Sequence, residues 1–271
     1  MLALAGRPES LKFWVYYTEQ EVEKEMSQHS WVQHLEFSQH NGGSGGHALA
    51  MHKALQVMKR DDINVLLDTD MVLLVKNWDL HIRNILEDSD LFGTSHLDYG
   101  LFGLGYGEVE DCQYGGVPNT SFFAMHPRHD FSDLDLTPDK SNILKIDSVE
   151  LSLITSLPIN THCHRDTGWK VPFYVKEHNL RAKIVRHRKP RHHKCAILRN
   201  EMDYSEEFVL DNIPFVAHQR GSWKRPFRKD NLSREFYDAV ELYLVKIPGY
   251  IKRHGWTSDL FRAKISSLIT R

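Results

Sequence analysis

Apolar and polar positions along this chain switch repeatedly between a period of two and a period of about 3.6. Leu11 to Tyr17 is aromatic and β-branched, the composition of a strand. Glu19 to Gln28 is charged and helix-prone, and His34 to Ser38 reads as a short second strand. Asn41-Gly42-Gly43-Ser44-Gly45-Gly46 has the composition of a flexible turn. From His47 to Arg60 the apolar residues Ala48, Met51, Leu55 and Met58 recur at helical spacing. Asp62 to Leu67 is the next strand, Lys76 to Glu87 a helix with Trp78, Ile82, Ile85 and Leu86 as its stripe, and Leu91 to Thr94 another strand. Asp98 to Gly116, rich in Gly and Tyr, reads as a loop; Thr120 to Met125 as a strand; Asp147 to Ser156 as a helix. A further helix opens at Asp166-Thr167-Gly168-Trp169 and runs to about Glu177, with Pro172 in its first turn, before a strand over Ala182 to Arg186. Such alternation predicts an α/β fold: an open, largely parallel sheet flanked by helices, with its ligand outside the carboxyl ends of the strands. Past residue 225, helical patterning around Phe236, Val240, Leu244 and Ile247 is broken by Pro248-Gly249, and a second helix is expected from near Ser258.

The bulk properties narrow the class. With 271 residues the chain suits one large domain with an appendage. A hydrophobic share of 41% and a charged share of 26% are those of a globular protein, and no apolar run reaches the roughly 18 residues of a membrane span. Met1 to Arg7 is too short and too poorly patterned for a signal peptide. Three widely spaced cysteines, Cys112, Cys163 and Cys195, argue for a reducing compartment, so the expectation is a cytoplasmic protein, soluble or resting on a membrane surface. Charge is divided unevenly. Residues 1–180 carry 14 Lys and Arg against 26 Asp and Glu, a net of −12; residues 181–271 carry 20 against 10, a net of +10. An acidic half beside a basic one suits an anionic ligand such as a nucleotide diphosphate, a nucleic acid or an anionic membrane face.

The acidic half contains the chain's most pointed chemistry. Ile63 and Val65 to Leu67 run straight into Asp68-Thr69-Asp70. Two carboxylates at i and i+2 lie on one side of an extended chain and can grip one divalent cation. Hard oxygen ligands suit Mg2+ or Mn2+, which leave positions for water and phosphate oxygens. An isolated Asp-x-Asp is more often a solvated turn or a helix cap, so its neighbours matter. The histidine–cysteine groups His162-Cys163-His164 and His192-His193-Lys194-Cys195 match no standard zinc spacing.

Four elements in order make the chain resemble the GT-A glycosyltransferases, the family-two-like group above all, over roughly residues 11–225. They are Asn41-Gly42-Gly43-Ser44 before a helix, the strand ending in Asp68-Thr69-Asp70, the helix-opening Asp166-Thr167-Gly168-Trp169, and Val216-Ala217-His218-Gln219-Arg220-Gly221-Ser222. The N-terminus departs from the family pattern, because Thr18-Glu19-Gln20 follow the first strand where an Asp near a strand's end would bind the nucleoside. The resemblance implies a GT-A domain, a Rossmann-like open mixed sheet flanked by helices, over 1–225, with a nucleotide and metal half at 1–95 and an acceptor half at 96–225, and a short helical C-terminal extension at 226–271.

By the same resemblance the activity is transfer of a sugar from a nucleotide-diphosphate sugar to an acceptor hydroxyl, with inversion and a divalent metal, Mn2+ or Mg2+. Asp68, Asp70 and His218 are the implied metal ligands. Asn41, Gly43, Ser44, Asp68, Arg220, Ser222 and Lys224 are the implied donor-binding residues. Asp166 is the implied catalytic base, and Gly168 and Trp169 face the acceptor, a glycan or lipid-linked sugar. Asp is also a preferred helix N-cap, which is the plain alternative for Asp166. A second reading changes the acceptor. Arg181, Lys183, Arg186, Arg188, Lys189, Arg191, Lys194 and Arg199 form a basic run that can track a phosphate backbone, as a phage-type DNA glycosyltransferase acting on hydroxymethylated bases would need. A third reading is a non-catalytic nucleotide-sugar or nucleic-acid binding module.

Overall fold

The structure is a computed structural model. It describes residues 4–17, 23–24, 26–37, 43–59, 61–68, 70–95, 116–138, 143–145, 162–164, 167–187, 205–219, 240, 242–244 and 246. Within them the strands are β1 (Phe13–Tyr17), β2 (Val32–Phe37), β3 (Asn64–Leu67), β4 (Met71–Leu73), β5 (Leu91–Thr94), β6 (Phe122–Met125), β7 (Ile143–Lys145), β8 (His162–His164), β9 (Ala182–His187), β10 (Ser205–Leu210) and β11 (Ile213–Gln219). The helices are α1 (Gly43–Val57), α2 (Trp78–Glu87) and α3 (Val171–Glu177). The fold is therefore α/β with mixed sheets. No helix among the described residues is long and apolar enough to cross a membrane.

Contacts divide the chain into two compact units. The first comprises Met1–Pro8, Asp68–His81 and Arg186–Arg271; the second comprises Glu9–Leu67 and Ile82–Val185.

In the second unit, β1 and β2 pair in parallel as a two-stranded sheet. The order β3-β6-β5-β9 is hydrogen-bonded, antiparallel at β3·β6 and β6·β5 and parallel at β5·β9. Every residue of β5 and β6 is buried, which is why neither alternates between apolar and polar positions. Packing at β5 is close: a Cβ at Gly93 would stand 2.0 Å from the Phe122 carbonyl oxygen, so only glycine fits there. Met51 and Leu55 of α1 join Leu66, Leu91, Phe123 and Val171 in one apolar cluster, placing the predicted helical stripe in the core.

In the first unit, β10 and β11 form a hairpin closed by Asp211 and Asn212, with φ of 49° and 66°. Positive φ at both central residues is the signature of a tight two-residue turn whose twist matches its strands. β10 also pairs with Arg186 and His187 of β9, and β11 with β4. The N-terminal segment is tied to the start of α2. Gly6 and Arg7 donate their backbone N–H groups to the Asp79 carboxylate at 2.5 and 2.9 Å, and Asn77 donates to the Leu4 carbonyl. Leu4 and Ala5 are buried there.

Three expectations are corrected. The sheet is not largely parallel: most strand pairs are antiparallel, because the returns at β6 and at the β10–β11 hairpin reverse the chain. The glycine run is not wholly a turn, since Gly43–Gly46 form the first turn of α1, with tertiary packing of the helix overriding glycine's poor propensity. The third helix begins at Val171, with Lys170 as its N-cap, because Gly168 has φ +79° and cannot continue a helix. The loop expected over 98–116 lies outside the described residues save Gly116. Also outside are the helix at 147–156, the basic run from 188 to 199 and the second C-terminal helix. Of the 19–28 helix, Glu23, Lys24 and Met26 are helical; in the 226–271 extension, residues 240 and 242–244 are helical, with Val240 and Leu244 buried.

Candidate metal centre

Asp68, Asp70 and His218 all belong to the first unit, and the local chain path explains their meeting. β3 ends at Leu67, and the Met71 N–H donates to the Asp68 carbonyl at 3.1 Å, an i to i+3 bond. The two carboxylates therefore converge through a turn, not through strand alternation as the extended reading supposed. β4 then starts at Met71 and pairs antiparallel with β11, Met71 lying opposite His218. Register alone thus sets the imidazole beside the residue that follows Asp70. The hairpin turn at Asp211-Asn212 fixes that register from the other side, and the Leu74 N–H to Phe215 carbonyl bond at 2.8 Å continues it.

One ligand atom from each of the three side chains lies within 4.8 Å of the others. The His218 Nε2 stands 3.3 Å from Asp70 Oδ1. His218 is buried, its side chain 6% exposed, while Asp70 retains 25%. The donor set fits a divalent cation. Carboxylate and neutral imidazole suit Mn2+ and its neighbours, and three protein ligands leave positions for water and phosphate oxygens. Metal–ligand bonds of about 2.0–2.2 Å put opposite ligands roughly 4.0–4.4 Å apart, so small side-chain rotations close the set around one ion. Among the described residues this is the one group of three or more His, Cys, Asp or Glu side chains so arranged.

The remaining residues named from the sequence fall elsewhere. Asn41, Asp166, Arg220, Ser222 and Lys224 lie outside the described residues. Gly43 and Ser44 open α1, in the second unit. Gly168 and Trp169 precede α3 in that unit. A Cβ on Gly168 would stand 2.3 Å from Thr120 Cγ2, so its bareness serves internal packing. Trp169 is half-buried, donates its ring N–H to the Thr137 carbonyl at 3.1 Å, and meets Phe173 edge-on at 6.0 Å. His162–His164 form β8 opposite Ile143–Lys145, and His192 to Cys195 lie outside the described residues.

The sequence named all three members of this candidate centre but none of β4, β10 and β11, the strands whose register brings them together. For the β10–β11 hairpin the signal was present: two short runs, Phe208-Val209-Leu210 and Ile213 to Ala217, flank Asp211-Asn212, a turn pair that accepts positive φ. No family model, no curated protein and no solved structure matches the chain.

Proposed function

We propose that the protein is a metal-dependent glycosyltransferase that uses a nucleotide-diphosphate sugar and has a GT-A fold. The observation that carries this reading is the convergence of Asp68, Asp70 and His218, two elements far apart in sequence that the GT-A pattern pairs at its metal. Bound there, Mn2+ or Mg2+ would supply positive charge to the departing diphosphate. Asp70 and His218 would hold that cation, and Asp68 would hold it or the donor ribose. Asp166 takes the acceptor proton as the hydroxyl attacks the anomeric carbon, so that the sugar transfers with inversion. The donor roles of Asn41, Gly43, Ser44, Arg220, Ser222 and Lys224, and the acceptor roles of Gly168 and Trp169, belong to the same proposal and rest on sequence order.

The deciding experiment is thermal unfolding against a panel of nucleotide diphosphates and nucleotide sugars, each with and without manganese. A ligand that binds only the folded chain raises the melting temperature by mass action. The expected result is a manganese-dependent rise for one nucleotide, lost in Asp70→Ala. Asp166→Asn should keep that rise and lose sugar transfer. A folded protein that responds to no nucleotide with manganese present would overturn the reading.

A further inference from the structure

A second group of side chains, wholly in the second unit, is built for a different ligand. In the parallel pair β1·β2, Trp14 lies opposite His34 and Tyr16 opposite Glu36, so all four share one face. The Trp14 indole lies tilted against the His34 ring, centroids 4.8 Å apart and planes at 35°, yet remains 40% exposed. His34 Nε2 is 3.4 Å from Glu36 Oε2, and Lys53 of α1 reaches over to bond Glu36. The side chains of His34, Glu36 and Lys53 each keep about a third or more of their surface in solvent, at 39%, 32% and 39%. On the same face, the Tyr16 hydroxyl is the one buried side-chain polar atom among the described residues with no hydrogen-bond partner.

We propose that this face is a carbohydrate-binding platform that takes an uncharged pyranose ring of a glycan flat against Trp14. The indole face carries negative quadrupole charge and attracts the weakly positive C–H groups that line one side of a pyranose. The rim then selects the occupant. Glu36 and Lys53 cancel one another, so the platform lacks the basic groove by which stacking surfaces hold nucleic acid. An apolar peptide side chain or an acyl chain laid here would strip water from an ion pair and give nothing back. Sugar hydroxyls both donate and accept, so they replace that water bond for bond at the carboxylate, ammonium and imidazole.

The inference does not depend on the metal centre. Its test is calorimetric titration of the metal-free full chain with cellohexaose, chitohexaose and maltohexaose. At least one should bind, with an affinity insensitive to salt. Trp14→Ala should weaken it about tenfold or more, the scale of losing one stacked ring. Trp14→Phe, which keeps a ring, should keep part of the affinity and guards against misfolding of the alanine variant, which is checked by its melting temperature. Asp70→Ala should bind as the parent does. The proposal is overturned if none of the three sugars binds the folded parent, or if folded Trp14→Ala binds unchanged. It is equally overturned if single-stranded DNA competes for Trp14 with a steep salt dependence.

Discussion

Asp-x-Asp occurs three times among the described stretches, and two of the occurrences teach most when set side by side. Asp68-Thr69-Asp70 follows a strand; Asp88-Ser89-Asp90 precedes one. At the second, the Asp90 side chain is 6% exposed and is surrounded by donors. Arg128 Nε reaches one carboxylate oxygen at 2.5 Å and His129 Nε2 the same oxygen at 2.8 Å; the Arg181 N–H reaches the other at 2.7 Å. Backbone bonds from Asp90 to the Arg181 carbonyl and from His126 to the Asp90 carbonyl tie the same point to the chain before β9 and after β6. Burial pushes the Asp90 carboxyl up, but the Arg181 N–H, His129 and Arg128 outweigh it and bring it down to about 2. At the first motif, by contrast, two carboxylates gather around one imidazole. A carboxylate matched by cationic donors holds the fold together; carboxylates gathered with an imidazole have the composition of a ligand set.

The largest expected effect separates these roles by stability. Asp90→Ala leaves Arg128 and the Arg181 N–H without their carboxylate and should cost about 3–5 kcal/mol, the range for breaking a buried pair by removing one partner. Asp70→Ala, at a half-buried turn, should cost no more than about 1 kcal/mol in metal-free buffer. Urea unfolding of both variants makes the comparison, and equal losses would erase the distinction drawn here.

Metal reverses the order. At a free manganese concentration about a hundredfold above its dissociation constant, the parent should gain about 2.7 kcal/mol, and a chelator should remove the gain. Asp70→Ala and His218→Ala should lose it. Asp90→Asn should keep it, whatever its starting stability. Retention in the His218 variant would take the imidazole out of the ligand set.

Acid gives a third contrast. The Asp90 carboxyl is depressed from 3.8 to about 2 in the folded chain, so its contribution is present in full above the unfolded value. It is lost as pH falls from there through about 2, a window worth about 2 kcal/mol. Stability against pH, followed by denaturant unfolding, should therefore steepen below pH about 4 in the parent and flatten there in Asp90→Asn. An unchanged acid limb in that variant would assign acid sensitivity to other carboxylates.

Much of this was legible in the residues. β5 was delimited as Leu91 to Thr94, and of the α2 stripe Trp78, Ile82 and Leu86 are buried as its spacing required, with Ile85 half-buried at its edge. Asp68, Asp70 and His218, which the structure brings within 4.8 Å of one another, were named because Asp-x-Asp after an apolar run and a late His-containing segment stand in a recognisable order. What was not legible was pairing. Nothing in Met71-Val72-Leu73 announces a strand, since three residues carry too little periodicity, and its identity depends on β11 more than a hundred residues away. The convergence of Asp68 and Asp70 through a turn was missed for a related reason: a turn and a strand end both place i and i+2 near one another, and only the Met71 to Asp68 bond distinguishes them. Likewise Asp90's role depends on Arg128, His129 and Arg181, which its own neighbourhood in sequence does not contain.

The third occurrence, Asp133-Leu134-Asp135, gives the smallest effect and places Trp169. Asp133 accepts the Tyr174 hydroxyl at 2.7 Å, and Asp135 pairs with Lys170. Burial pushes the Asp135 carboxyl up, but Lys170 and Thr137 bring it down to about 2. Lys170 also lies 5.4 Å above the Trp169 ring, whose N–H caps the Thr137 carbonyl. These are donor-matched carboxylates like Asp90, so this neighbourhood should behave as a packing joint. Trp169→Phe keeps an aromatic face for any acceptor and removes only the N–H bond, which is worth about 1 kcal/mol. The expected outcome is a loss of that size in urea unfolding, with manganese-dependent nucleotide binding unchanged. A variant as stable as the parent but poor in transfer would instead show that Trp169 touches the acceptor through its ring N–H, and would join this joint to the ligand sets.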